Sequence, residues 1–125
     1  KIKTVGDAIV AVAGLSSHSI SPVKSCVDCS YKLREIANSA SMPWDLHLGI
    51  HSGSLVAGTV GTKTVQFDIL GKTVNVAFNI CDMSVSNQIL ISSDAWMTAR
   101  NEIKVKSIGL KRLKSGQDIE MLECV

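Results

Sequence analysis

The sequence predicts an α/β or α+β sandwich, with helices laid against a sheet. Strand-like segments, apolar or alternating, take turns along the chain with segments whose apolar residues recur every three or four positions. No internal repeat or low-complexity stretch interrupts that alternation. At 125 residues and 46% hydrophobic, the chain is long enough for one domain with a substantial core. Its aromatic residues are Phe67, Phe78, Trp44, Trp96 and Tyr31, so Val, Ile, Leu and Ala must build that core.

Residues 1 to 13 read as two short strands, "KIKT" and "AIVAVA", joined by Val5-Gly6-Asp7, a hairpin signal. Ser21 is placed to cap a helix with Pro22 at its first position. Val23, Cys26, Val27, Ser30, Leu33, Ala37 and Ala40 continue it at helical spacing until Met42-Pro43 stops it. "DLHLGIHSG" predicts a strand ending at Gly53, and Gly58 and Gly61 predict a turn-rich connection to a strand over Val65–Leu70. A short helix follows from Thr73 or Val74, with Val74, Ala77, Phe78 and Cys81 on one face. "NQILISS" reads as a buried strand, Ser93 as the cap of a short helix through Arg100, and Ile103–Ile108 and Ile119–Cys124 as closing strands around Ser115-Gly116.

Composition excludes several classes. A formal charge of +2 is too small to draw nucleic acid or a membrane by bulk charge, and Lys104, Lys106, Lys111, Arg112 and Lys114 read as a solvated face. The RNA-binding alternative that this basic segment raises lacks the stacking aromatics such a sheet needs. The apolar run from Ala8 to Leu15 is far shorter than a membrane span. Cys26 and Cys29 have CxxC spacing without a second CxxC, so a structural role is expected for Cys26 on the apolar side of its helix, beside Cys81 and Cys124 as reduced thiols. No signal peptide is visible, which points to an intracellular, cytoplasmic setting. The chain opens at Lys1 inside a strand-like pattern, as a piece of a larger protein would.

Candidate chemistry is sparse. His47 and His51 share a strand, but a third metal ligand at a sensible spacing is missing, and His18 lies in a loop without an evident partner. Asp7, at a hairpin tip, suits a divalent-metal ligand, but by itself a purely local turn bond is its commoner role. No nucleophile elbow, Walker A or dinucleotide fingerprint is present.

Three stretches, "KIKTVGDAIVAVAGL", "LHLGIHSGSLVAGTVG" and "FDILGKTVNVAFN", together resemble the class III adenylate and guanylate cyclase catalytic domain, in family order and at family-like separations. "NQILISSDAW" and "GLKRLKSG…IEMLECV" continue the likeness to the last residue. The resemblance implies a ferredoxin-like α/β sandwich over residues 1–125, the C-terminal portion of the domain, with the family's first strand and helices preceding Lys1. It implies conversion of ATP to cyclic AMP and pyrophosphate in intracellular signalling, with Mg²⁺ or Mn²⁺, in a homodimer or pseudo-heterodimer whose sites draw on both protomers. By the same resemblance Asp7 holds metal, Lys3 and Asp68 read adenine, Asn75 orients the ribose, and Lys114 touches a phosphate, although "LKSG" replaces the usual "LKG".

Two departures qualify that reading. Asn79 stands where the family carries an arginine that stabilises charge on the α-phosphate, and an amide cannot replace that charge. The other metal-binding aspartate would precede Lys1, and Asp7 alone cannot supply the shared carboxylates of a two-metal site. The alternative expectation is therefore a catalytically inactive cyclase-homology domain that binds nucleotide or dimerises.

Overall fold

The computed structural model describes residues 3–15, 21–41, 43–63 and 66–125. Along them run β1 (Lys3–Val5), β2 (Ala8–Val10), α1 (Pro22–Ser39), β3 (His47–Ile50), β4 (Val56–Val60) and β5 (Gln66–Leu70). Then come α2 (Lys72–Met83), β6 (Gln88–Ser92), α3 (Ser93–Met97), β7 (Val105–Arg112) and β8 (Asp118–Cys124). The predicted positions of His18 and Val65 lie outside the described residues.

A four-stranded sheet in the order β3-β6-β8-β7 organises the chain, with β3 parallel to β6 and the other pairs antiparallel. Strand alternation sorts its side chains to two faces. Ile89, Ile91, Leu122 and Cys124 meet Val23 and Val27 of α1 and Ala95 of α3. Leu90, Ile119 and Met121 turn the other way, onto Val76 and Ile80 of α2. Helices thus cover both faces, and the core is aliphatic, as the composition requires. β6 is buried from Ile89 to Ser92 because it lies inside this sheet with helices on either side.

Two separate two-stranded ribbons flank the sheet: β1-β2, around the Gly6-Asp7 turn, and β4-β5. β4 departs from the expected turn-rich connection. Gly58 lies inside it, paired with Asp68, and only Gly61 has the left-handed φ, at 107°, that a turn recruits glycine for.

Several ends also differ from expectation. Ser21 occupies the N-cap of α1, but its hydroxyl makes no capping bond; its carbonyl instead accepts from the Ser25 N–H at 3.0 Å and the Ser25 hydroxyl at 3.1 Å. Leu33 is 44% exposed, so the buried stripe of α1 is Val23, Val27, Ser30 and Ala37. The cap of α3 is Ser92, not Ser93: the Ser92 oxygen accepts from the Ala95 N–H at 3.2 Å, and the helix ends at Met97. The predicted β3 end at Gly53 falls back to Ile50, and β7 runs on to Arg112.

α2 packs closely on β3 because Gly49 has no side chain. A Cβ there would lie 2.8 Å from the Cys81 Cα and 2.9 Å from the Ala77 carbonyl oxygen. The face of α2 carrying Val74, Ala77, Phe78 and Cys81 lines a groove of about 490 Å³, shared with β2, α1 and β3.

Candidate active site

The sequence predicts six site residues, and the fold joins two of them directly. Lys3 on β1 and Asp68 on β5 are 65 positions apart, yet the Lys3 Nζ lies 3.0 Å from Asp68 Oδ1 and donates to Oδ2 at 3.2 Å. Asp68 Oδ1 also accepts from the Ile69 N–H at 2.8 Å. The Lys3 hydrogen bond, then that backbone N–H, hold the Asp68 carboxyl below its usual 3.8, so Asp68 is a carboxylate at neutral pH. Both heads keep capacity for a ligand. A carboxylate has about four lone-pair sites and an ammonium three protons, more than these contacts consume.

Gly71, with φ of 138°, turns the chain from β5 into α2. The Thr73 hydroxyl then donates to the Ser54 carbonyl oxygen at 2.7 Å, tying the first turn of the helix to the loop after β3. This entry sets the polar stripe of α2. Asn75 is exposed and Asn79, one turn on, is half-buried, while Val76 and Ile80, the residue after each, enter the core. Asp82 continues the stripe, and its Oδ2 lies 3.7 Å from the Nζ of Lys114 at the β7-β8 turn. The structure therefore brings Lys114 to the far end of the Asn75–Asn79 stripe, through a partner the sequence reading did not name. A carboxylate one turn beyond Asn79 was the available signal, but nothing in the sequence tied it to Lys114.

Asp7 stands exposed in the turn between β1 and β2. Among the described residues, no group of three or more His, Cys, Asp or Glu side chains gathers into a metal site. With one carboxylate at Asp7, the described residues do not form a two-ion site by themselves. His47 and His51 face separate partners: His47 Nδ1 bonds the Ser84 carbonyl oxygen at 2.8 Å, and His51 Nδ1 the Ser92 hydroxyl at 2.7 Å. Burial raises the Cys26 and Cys81 thiols and pushes Cys124 up to about 11, the opposite of a reactive thiolate. Lys104, Lys106, Lys111, Arg112 and Lys114 are all exposed, and Arg112 pairs with Asp118 at 3.0 Å. Among the described residues, no helix is long and apolar enough to cross a membrane.

The chain belongs to the adenylate and guanylate cyclase catalytic domain family, which it matches over residues 1–122. It is 31% identical over 127 residues to soluble guanylate cyclase gcy-31 of Caenorhabditis elegans, covering 97% of this chain and 18% of that protein. It is also 31% identical over 96 residues to the aggregation-specific adenylate cyclase of Dictyostelium discoideum, covering 77% of this chain and 7% of the relative. The chain thus spans less than a fifth of the length of either. Among solved structures, the guanylate cyclase domain of RhGC from Catenaria anguillulae, in complex with GTP, superposes with a TM-score of 0.91 at 20% identity, over 99% of this chain and 70% of that one. The adenylyl cyclase CyaB from P. aeruginosa gives 0.80 at 19% identity, over 91% and 64%.

Proposed function

We propose that this domain binds ATP and converts it to cyclic AMP and pyrophosphate, slowly, because Asn79 replaces a cation at the α-phosphate. The Lys3–Asp68 pair carries the choice of base. Adenine offers an amino donor beside a ring-nitrogen acceptor, and a carboxylate beside an ammonium complements that order. Relatives bearing either activity are known, so the family alone leaves the base open. Guanine could use the same two groups only with their order reversed, the ammonium on O6 and the carboxylate on N1–H.

In the reaction, the ribose 3′-oxygen loses its proton and bonds to the α-phosphorus, and the bond from that phosphorus to the bridging oxygen of pyrophosphate breaks. Asn75, exposed on the first turns of α2, would hold the ribose. Lys114, exposed beside Asp82, is a cation for the leaving phosphates. Asn79 contributes an amide dipole where a fixed positive charge would be worth about 10²–10³ in rate. Asp7 would serve as one metal ligand within an assembly that supplies the others, and a second protomer would complete the site.

A second reading, a nucleotide-binding or dimerisation module without turnover, is favoured by the same Asn79. Calorimetry of ATP and GTP with the full-length protein tests the base assignment. ATP should bind more tightly, and Lys3→Ala should weaken it about 10–100-fold, the worth of one charge-assisted hydrogen bond. Lys3→Glu with Asp68→Cys should tilt the preference toward GTP. Equal affinities, or tighter GTP, would remove the adenine reading.

A further inference from the structure

Gly58 sits opposite Asp68 in the β4-β5 register, so the two share one face of the ribbon. On that face Val56 pairs with Leu70 on one side of them, and Val60 stands on the other. All three are exposed, at 69%, 50% and 40%. Gly58 therefore opens a gap one side chain wide in an aliphatic row, directly beside the Asp68–Lys3 pair. Strand rise puts Val56 and Val60 about 13 Å apart between Cα atoms, room for one flat ring between their side chains.

The backbone gives no reason for glycine at this place. Gly58 lacks the left-handed φ of Gly61 and Gly71, and a Cβ added there meets no atom within 4 Å. Strand interiors disfavour glycine unless a bend, a bulge or a closely approaching ligand calls for it. The β4-β5 register runs without a shift from Val56↔Leu70 to Val60↔Gln66, which removes the bulge.

We propose that Gly58 is a specificity-determining residue: its missing side chain forms the notch through which a purine base reaches Lys3 and Asp68 edge-first, its ring faces lying against Val56, Leu70 and Val60. The proposal rests on the reading of Lys3 and Asp68 as the base-recognising pair. It gives the flanking aliphatic residues, otherwise wasted in solvent, a planar partner.

Calorimetric titration of ATP and of inorganic tripolyphosphate into the full-length protein tests it, with Tm measured for each variant. Gly58→Ala and Gly58→Val should fold with Tm at or above wild type, because the added carbons enter open space. ATP affinity should nonetheless fall by a few-fold in Gly58→Ala and by at least tenfold in Gly58→Val, with tripolyphosphate unchanged. Thr59→Val, on the opposite face, should bind ATP as wild type does. Wild-type ATP affinity in Gly58→Val would overturn the notch alone. A parallel loss of tripolyphosphate, or a loss of ATP accompanied by a lowered Tm in both glycine variants, would also overturn it and make Gly58 a folding residue. Failure of wild type itself to bind ATP would remove the underlying base-pair reading, and the notch with it.

Discussion

Lys3 and Asp68 meet at side-chain exposures of 33% and 18%, where an ion pair adds little to folding. Asp68 could be singled out in the sequence because a carboxylate interrupts an apolar strand. Its partner could not, since no local pattern links positions 65 apart on different ribbons; the family resemblance alone connected them. His51 shows the reverse case, a candidate ligand whose bonds are structural. Its Nδ1 lies 2.7 Å from the hydroxyl oxygen of buried Ser92, which also caps α3 by accepting from the Ala95 N–H. Burial lowers the His51 pKa from 6.5, against the smaller opposing pull of Asp94. A histidine lowered in the fold adds stability that is complete above 6.5 and is lost as pH falls below that value toward its folded pKa. Urea midpoints should therefore drop between pH 7.5 and pH 5.5, and His51→Gln should flatten that drop. A midpoint independent of pH in wild type would contradict a His51 whose pKa burial holds below its usual value.

At the scale of elements, periodicity located α1, α2, β6 and the closing strands, because each has an apolar stripe set by the core it meets. It missed β4, since Gly58 and Gly61 look alike in sequence although only Gly61 takes a positive φ. It placed the α3 cap one residue late, because Ser92 and Ser93 are chemically equal and only the turn geometry chooses between them. Gly49 makes the clearest test of element packing. A methyl group there would strike the backbone of α2, which no rotamer change can relieve. Gly49→Ala should cost about 2–3 kcal/mol by overpacking, read as a lower urea midpoint with unchanged slope. It should also displace α2 and so weaken ATP, whereas Gly58→Ala should weaken ATP with no loss of stability.

The whole molecule divides its labour between a central sheet and two ribbons. Buried aliphatic residues of the sheet, with Ile89, Ile91 and Met121 fully enclosed, and Ile80 of α2 against them, hold the fold. Two-stranded ribbons are marginal by themselves, yet they carry Lys3, Asp7, Gly58 and Asp68. Amides of β1-β2 and β4-β5 should accordingly exchange hydrogen faster than those of β6 and β8, and ATP should slow the ribbons selectively. Uniform protection with or without nucleotide would argue against a site built on them. In the proposed reaction the ribbons supply the base-reading pair, while α2 supplies a polar stripe, Asn75 to Asp82, that meets Lys114 at its far end and lacks one cation at Asn79. The most direct measurement is the cyclic nucleotide formed by full-length wild type and Asn79→Arg given ATP and GTP together. Restoring the cation should raise cyclic AMP about 10²-fold, equivalent to about 2.7 kcal/mol of barrier, with cyclic GMP the minor product. Cyclic GMP as the main product, or no cyclic nucleotide from either protein while ATP still binds, would contradict an adenine-directed cyclase limited by Asn79.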